Sequence, residues 1–161
     1  MSTTTSLLCV RSRTLADVAI RAWDGDHTSH TAIRIKDRVI DATFRYGVKE
    51  WSLWEWSKGR MIVDDIPIYP SSPEAERRGI ERLRARIGQQ YDRWEIAGFV
   101  LLRDLGDPDR PICSRLCYDY LRDVCGLTIP GRQGRIAPRI VRATLTTFNQ
   151  GRTAAISPTM G

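Results

Sequence analysis

The sequence contains no apolar run that approaches the roughly 20 residues a helix needs to span a membrane. Its first residues, Met1 to Val10, lack a basic stretch, and their apolar segment is too short for a secretory signal peptide. These absences favour a protein that is made and kept in the cytoplasm. Internal repeats and linkers are also missing, so one domain is expected. A chain of 161 residues is long enough to bury a hydrophobic core without the help of disulfides or metal ions.

Lysine is scarce, since Lys36, Lys49 and Lys58 are the only three. The other 22 of the 25 basic residues are arginines, and against 19 acidic residues they give a formal net charge of +6. The arginines are scattered and often stand beside acids, which argues against specific nucleic-acid binding. The segment from Arg132 to Arg152 has no acidic residue. It is a candidate for contact with an anionic polymer or lipid surface, although a solvated face is the plainer interpretation.

Cysteine is also sparse, and the four that occur are Cys9, Cys113, Cys117 and Cys125. Cys113 and Cys117 share one helix face at i,i+4, which does not suit a framework of structural disulfides. A zinc site from the last three and a histidine stays open, but the spacing matches no standard pattern. No metal or organic cofactor is expected. Cys9 and Cys125 lie among apolar residues and are expected to be small core hydrophobes.

The spacing of apolar residues, together with the glycines, prolines and capping residues that mark the ends of elements, predicts one α+β domain over residues 1–145. A loose basic and polar tail is predicted over residues 146–161. Strands are predicted at Leu7 to Val10, His30 to Ile35, Val39 to Thr43 and Arg60 to Tyr69. Helices are predicted at Thr14 to Trp23, Ser72 to Ile87, Trp94 to Arg103, Cys113 to Cys125 and Pro138 to Leu145. The inward residues are expected to be Ile80, Leu83 and Ile87 in the second helix and Leu116, Tyr120, Leu121 and Val124 in the fourth.

A tight turn at Lys36-Asp37 would join the second and third strands as a hairpin. Residues whose numbers sum to 73 then face each other, so His30 opposes Thr43 and Asp41 lies diagonally beside His30 on one face. A carboxylate within reach of an imidazole fixes its tautomer and steadies the imidazolium. A turn one residue longer or shorter would move Asp41 to the other face of the sheet.

Cys113 stands in the first turn of its predicted helix, after Pro111-Ile112. The thiolate is the nucleophilic form of cysteine, and both a helix N-terminus and a nearby imidazole favour it. The combination of Cys113 with His30 and Asp41 therefore suggests cysteine-nucleophile chemistry.

The order of these motifs resembles the circularly permuted branch of the NlpC-type papain-like cysteine peptidases. The matching segments are Ser29-His30-Thr31-Ala32-Ile33, Val39-Ile40-Asp41-Ala42-Thr43 and Ile112-Cys113-Ser114-Arg115-Leu116, together with Tyr91-Asp92 and Ala137-Pro138. The resemblance covers Leu7 to Leu145. It implies a permuted papain-like α+β fold, in which a small antiparallel sheet packs against helices and the nucleophile lies at a helix N-terminus.

The resemblance implies that Cys113 is the nucleophile, His30 the general base and Asp41 its orienting acid. It also implies that Tyr91 shapes an oxyanion pocket together with the backbone N–H of Cys113. The remaining candidates for oxyanion or substrate contact are Ser114, Trp51 and Trp54. The implied reaction is hydrolysis of an amide in a peptide or peptidoglycan stem peptide through an acyl-enzyme, and a wall substrate would require delivery by a phage tail, lysis or a specialised secretion system.

Two departures bear on the substrate. Family members often carry an acid two positions after the nucleophile, whereas this chain has Arg115, which could pair with Asp119 at i,i+4. A sister group of acyltransferases and phospholipases, similar to lecithin–retinol acyltransferase, uses two histidines where this chain has His30 and Asp41. An amide substrate is therefore favoured over a lipid ester. An acyltransferase and a non-catalytic phage- or toxin-associated module with the same fold stay open as alternatives.

Each candidate also has a plainer structural interpretation. Cys113 could be an inert core thiol, His30 a structural histidine, and Asp41 the partner of an arginine such as Arg34 or Arg38. His27, in a polar turn three residues before His30, is expected to be a surface residue. The tryptophans after residue 50 could cover the core rather than line a cleft.

Overall fold

The computed structural model describes residues 5–11, 25–92, 112–129 and 136–156, with side chains as far as residue 153. These ranges contain five strands, which are β1 (Thr5–Arg11), β2 (His30–Ile35), β3 (Arg38–Thr43), β4 (Gly47–Ser52) and β5 (Met61–Pro67). They also contain four helices, which are α1 (Leu53–Ser57), α2 (Pro73–Ala85), α3 (Cys113–Cys125) and α4 (Pro138–Ile156). The helices expected at Thr14 to Trp23 and Trp94 to Arg103 lie outside the described residues.

The five strands form one sheet in the order β4-β3-β2-β1-β5, and every neighbouring pair is antiparallel. Helices accompany this sheet, so the predicted α+β class is confirmed. Strand β2 is the central strand, which places His30 in the middle of one end of the sheet.

The sheet is covered on both faces, and β1 shows this most directly. Leu7 and Cys9 enter the larger core cluster, which also contains apolar residues of α2, α3 and α4. Leu8 and Val10 point to the other face and enter a smaller cluster. The remaining members of the smaller cluster are Ala32, Val39 and Trp56. The continuous apolar run of β1 therefore reflects burial on both faces, since successive side chains of a strand point to opposite sides.

The β2–β3 hairpin has the register that the sequence predicts. Ile33 pairs with Ile40, and Ile35 pairs with Arg38, so the facing residues sum to 73. The connection is a two-residue turn at Lys36 and Asp37, and Lys36 takes a left-handed φ of 56°. A positive φ suits the twist of a two-residue hairpin turn. The same register places His30 and Asp41 on one face.

Several boundaries differ from the predicted ones. Helix α2 ends at Ala85, so Ile87 lies in the following turn and is 41% exposed instead of pointing inward. Strand β4 and helix α1 were not predicted, because Lys49 and Glu50 interrupt the apolar alternation of β4 and five residues are too few to show a helical period.

The C-terminal segment is a helix where a loose tail was expected. Helix α4 continues past Leu145 to Ile156. Phe148, three residues after Leu145, keeps the apolar face of α4 against the core. The Asn149 side chain donates a hydrogen bond of 2.8 Å to the Pro67 carbonyl, which ties the added turns to β5.

Close packing between α2 and α3 depends on a glycine, which yields a stability prediction. A Cβ at Gly79 would lie 2.2 Å from Cγ1 of Val124 and 3.2 Å from Cε2 of Tyr120. Replacing a helical glycine with alanine ordinarily stabilises by about 0.5–1 kcal/mol. Because overpacking costs roughly 1–3 kcal/mol, we expect Gly79→Ala to lower the free energy of unfolding in urea.

Gly151→Ala in α4 is the matched control, since a Cβ there meets nothing within 4 Å. We expect this variant to be as stable as the parent chain or more stable. A Gly79→Ala chain that gains stability as Gly151→Ala does would show that α2 and α3 do not approach this closely.

Candidate active site

A histidine and a carboxylate form a close pair on one face of the sheet. Nε2 of His30 lies 2.6 Å from Oδ1 of Asp41. Asp41 is fully buried, and the side chain of His30 is 14% exposed. Arg34, considered above as a partner for Asp41, instead pairs with Asp65 at 2.5 Å. The carboxylate is therefore committed to the imidazole.

The second oxygen of Asp41 is held by a tryptophan. The indole Nε1–H of Trp56 donates to Oδ2 of Asp41 at 2.7 Å, and the Trp56 side chain is fully buried. Helix α1 carries Trp56 to this place because its first residue, Leu53, donates a 2.8 Å backbone hydrogen bond to the carbonyl of Asp37 in the hairpin turn. Both carboxylate oxygens thus have a fixed donor or ionic partner, which sets the orientation of Asp41.

Cys113 reaches this pair from the opposite side of the sheet. Helix α3 packs on the face of the larger cluster, whereas His30 and Asp41 share the face of Trp56. His30 is the first residue of β2, so its ring lies at the end of the sheet, where the start of α3 also lies. Cys113 lies close enough to His30 there to raise the pKa of the imidazole, so the two side chains are neighbours. Since Nε2 faces Asp41, Nδ1 is the ring nitrogen left for the thiol.

The start of α3 differs from the starts of α1 and α2. Ser52 and Ser72 cap those two helices with side-chain hydroxyls that accept from backbone N–H groups. Ile112 occupies the N-cap position of α3 and supplies no side-chain hydrogen bond, and the first turn of α3 carries no acidic residue. The positive end of the helix dipole therefore faces the Cys113 region without a side-chain acceptor from the cap.

The charges around His30 set its protonation. Burial by itself lowers the pKa of His30, but the charges of Asp41 and Cys113 and its hydrogen bonds to both raise that pKa well above 6.5. Nearby acidic groups favour the charged form of an imidazole, so the surroundings of His30 favour the imidazolium.

The other three cysteines lie in environments that favour the neutral thiol. Burial, followed by the charge of Asp64, raises the pKa of Cys9 to about 12. Burial raises the pKa of Cys125 to about 11 and that of Cys117 well above 9.0. These three thiols are poor candidates for a nucleophile at neutral pH.

The remaining predicted site residues occupy varied positions. Tyr91 is buried in the larger cluster and packs edge to face on Phe44, with ring centroids 6.2 Å apart. The Ser114 hydroxyl donates to the carbonyl of Ile136, so it holds the start of α3 to the segment before α4. The two tryptophans differ in exposure. Trp51 is half-buried beside the smaller cluster, whereas Trp54 is 70% exposed on α1.

His27 is exposed, as predicted. The carboxylate of Asp119, the expected partner of Arg115, receives Arg86 at 2.8 Å and Arg122 at 3.5 Å. Trp56 is the site residue that sequence reasoning missed. Its place in an aromatic run was visible, but its contact with Asp41 depends on α1, which no pattern predicted.

Comparison with known proteins adds no family assignment, since no family model matches the sequence and no characterised protein is significantly similar to it. In the part of the chain that the structure describes, no three or more His, Cys, Asp or Glu side chains are grouped to hold a metal ion. No helix in the described ranges has the length and apolar character that crossing a membrane requires.

The effect of Asp41 on His30 can be measured directly. Asp41→Asn removes the negative charge while keeping a side chain of similar shape, so we expect the pKa of His30 to fall. An NMR titration of the imidazole protons reads this value, and the exposed His27, the only other histidine, serves as the internal control. A His30 pKa that is unchanged by Asp41→Asn would contradict the pairing.

The same shift predicts the pH dependence of stability. The folded-state pKa of His30 lies above the unfolded value of about 6.5. Its contribution to stability is therefore complete below that unfolded pKa and is lost as the pH rises through the folded-state pKa. We expect Asp41→Asn to weaken this alkaline loss in urea titrations.

Trp56→Phe tests the second hydrogen bond of Asp41. The substitution leaves Oδ2 of a buried carboxylate without its donor, which costs about 2–3 kcal/mol of unfolding free energy. Trp51→Phe is the control, because the buried Nε1 of Trp51 has no hydrogen-bond partner among the described residues. We expect denaturant unfolding to show a clearly larger loss for Trp56→Phe, and equal losses would argue against an energetic role for the Trp56–Asp41 bond.

Proposed function

We propose that this protein is a cysteine-nucleophile hydrolase with Cys113 as nucleophile, His30 as general base and acid, and Asp41 as the group that orients His30. The observation that carries the proposal is the His30–Asp41 pair, in which Nε2 of His30 lies 2.6 Å from Oδ1 of Asp41, with Cys113 as a further neighbour of the His30 ring. A catalytic triad consists of a nucleophile, a base that contacts it and a third group that orients the base.

In the first half of the proposed reaction, the Cys113 sulfur attacks the carbonyl carbon of an amide and forms a tetrahedral adduct. The C–N bond then breaks, and His30 donates its proton to the departing amine nitrogen. The product at this stage is a thioester between the acyl group and Cys113, together with a free amine.

In the second half, His30 takes a proton from water as the water oxygen attacks the thioester carbonyl. The C–S bond breaks and the carboxylic acid leaves. Cys113 and His30 then return to the thiolate and imidazolium with which the proposed reaction starts. Asp41 keeps the ring in place through both halves, because its two oxygens are already held by His30 and Trp56. The orientation of the base therefore does not have to be recreated in each step.

The start of α3 supports stabilisation of the oxyanion. The cap residue Ile112 has no side chain that competes for the N–H groups of the first turn. Backbone N–H groups aimed at a developing negative charge are the usual means of stabilising acyl-transfer intermediates. We assign this role to the backbone N–H of Cys113, with Tyr91 a further candidate for shaping the pocket.

The substrate class follows from the resemblance to permuted NlpC-type peptidases, and we propose an amide in a peptide or peptidoglycan stem peptide. The chain order supports a permuted papain-like arrangement, since the sheet that bears His30 and Asp41 precedes the helix that bears Cys113. The carboxylate of Asp41 stands where the lipid-active sister group has a second histidine, which favours an amide over a lipid ester.

Selective alkylation tests the nucleophile. We expect iodoacetamide at pH 6 to label Cys113 before Cys125, although Cys113 is only 3% exposed and Cys125 is more accessible. Peptide mass spectrometry identifies the labelled thiol. In His30→Ala the labelling of Cys113 should slow by roughly tenfold or more, because the imidazolium partner of the thiolate is lost.

His30→Ala shortens the side chain over the thiol, so slower labelling in that variant reports lost activation and not lost access. Faster labelling of Cys125 than of Cys113 would refute the activated pair. Release of a free amine from peptidoglycan fragments by the parent chain, absent in Cys113→Ala, would then support the amidase. A stable acyl adduct from an activated ester without amide cleavage would support the acyltransferase instead.

A further inference from the structure

The surface formed by β4, α1 and the turns before and after them carries aromatic rings with cations lying over them. Its members are Arg45, Tyr46, Lys49, Trp51, Trp54 and Lys58, and we call them the aromatic–cationic patch. Nζ of Lys49 lies 3.8 Å from the ring centroid of Trp51 and 5.3 Å from that of Tyr46. Nζ of Lys58 lies 3.3 Å from the Trp54 centroid, and the Arg45 guanidinium lies 5.2 Å from the Tyr46 centroid.

The cations of the patch differ from most arginines elsewhere in the fold. In the described ranges, none of the three cations Arg45, Lys49 and Lys58 forms an ion pair. On the helices, by contrast, arginines bind carboxylates, as in the pairs Arg77–Glu81, Arg82–Asp123, Arg86–Asp119 and Arg142–Asp64. The patch thus keeps positive charge that the fold does not neutralise.

The acidic residue Glu55 lies on α1 beside the patch. The pKa of Glu55 is lowered first by its hydrogen bonds with Ser52 and further by the charges of Lys58 and Lys49. Helix α1 begins at Leu53, directly after Ser52 of β4, so the β4 and α1 parts of the patch are adjacent. With Glu55 set against three cations, the patch has a net positive charge.

Two of the three aromatic rings of the patch are exposed. Trp54 is 70% exposed and Tyr46 is 50% exposed, while Trp56, two residues after Trp54, is fully buried on the inner side of α1. Residues two positions apart point in nearly opposite directions from a helix axis, so Trp54 faces outward. Exposed tryptophan and tyrosine beside lysine and arginine are typical of surfaces that enter the headgroup layer of a bilayer.

We propose that the aromatic–cationic patch docks the protein on the surface of a bilayer that contains anionic lipids. Charge complementarity supports the occupant, because an anionic leaflet attracts clustered basic residues. The exposed rings of Trp54 and Tyr46 favour insertion into a headgroup layer, whereas a single-stranded polyanion is usually bound in a basic groove. Two cavities, of about 670 Å³ between β5 and α4 and about 300 Å³ between α2 and α3, are lined by other residues.

Docking would also bring the bilayer near the candidate site, since Lys49 is the cross-strand partner of Asp41. The proposal nevertheless does not depend on the chemistry of Cys113. It concerns a surface that any activity of this fold would carry.

Co-sedimentation of the full chain with vesicles tests the proposal. The vesicles are phosphatidylcholine alone, or phosphatidylcholine with phosphatidylglycerol at a ratio of about 7:3, and they are assayed at low and at higher salt. We expect binding only to the anionic vesicles and weaker binding as salt rises. The double variant Lys49→Gln/Lys58→Gln should bind roughly tenfold or more weakly, and Trp54→Ala should also bind more weakly and lose a blue shift of tryptophan fluorescence.

Two controls separate the patch from general effects. Arg82→Gln removes an exposed arginine that is paired with Asp123, and Met61→Ala removes an exposed apolar side chain on β5. Both should bind the anionic vesicles as the parent chain does. Cys113→Ala should do so as well, so a failed hydrolase proposal and a failed docking proposal give different results.

Several outcomes would overturn the proposal. The first is absence of binding to anionic vesicles at low salt, and the second is equal binding by the parent chain and both patch variants. The third is full competition by soluble single-stranded DNA with no effect of Trp54→Ala, which would assign the patch to a polyanion. The fourth is a dimer that forms without lipid and is lost in Trp54→Ala, which would assign the patch to a second copy of the chain.

Discussion

The buried carboxylate of Asp41 is the constraint around which the candidate site is organised. Moving a carboxylate out of water costs several kcal/mol unless charge and hydrogen bonds compensate. Here the compensation comes from two directions, with His30 at Oδ1 and Trp56 at Oδ2. These partners belong to β2 and α1, so one side chain of β3 joins three elements. Removing either partner would leave a buried carboxylate oxygen unpaired in a low-dielectric interior, which is costly. The Trp56–Asp41 hydrogen bond therefore helps to hold the short helix α1 against the hairpin.

The position of the site follows from strand order and strand ends. His30 and Asp41 share the face covered by α1, whereas Cys113 arrives on a helix that packs against the other face. A meeting across the sheet would be impossible in the middle of a strand, because the backbone would separate the groups. His30 is the first residue of β2, where it pairs with Val10 of β1, and Cys113 is the first residue of α3, so the two side chains lie at the same end of the sheet. The first positions of the two elements are therefore as important as the residue types.

Local signals predicted a large share of this arrangement. The register of the hairpin followed from the turn at Lys36-Asp37, and the start and end of α3 followed from Cys113 and Gly126, whose left-handed φ of 69° ends the helix. These features depend on neighbours in sequence. The Trp56–Asp41 bond, the uncapped state of α3 and the cations over the tryptophans depend on tertiary placement. No periodicity encodes them, and the same holds for the extension of α4, which is stabilised by contacts with the core and β5.

The four cysteines show how one fold can assign different chemistry to one residue type. Burial is the main cause that raises the pKa values of Cys9, Cys117 and Cys125, and it outweighs the opposing charges of Arg142 at Cys9 and Arg152 at Cys125. Cys113 is as thoroughly buried as a core residue, but its neighbours are the His30 ring and the start of a helix without a side-chain cap. Exposure alone favours Cys125 as the reactive thiol, whereas the neighbouring His30 and the start of α3 are the grounds on which we propose Cys113. The proposed assignment of the nucleophile therefore rests on the surroundings of the thiol and on the orientation that Asp41 imposes on His30.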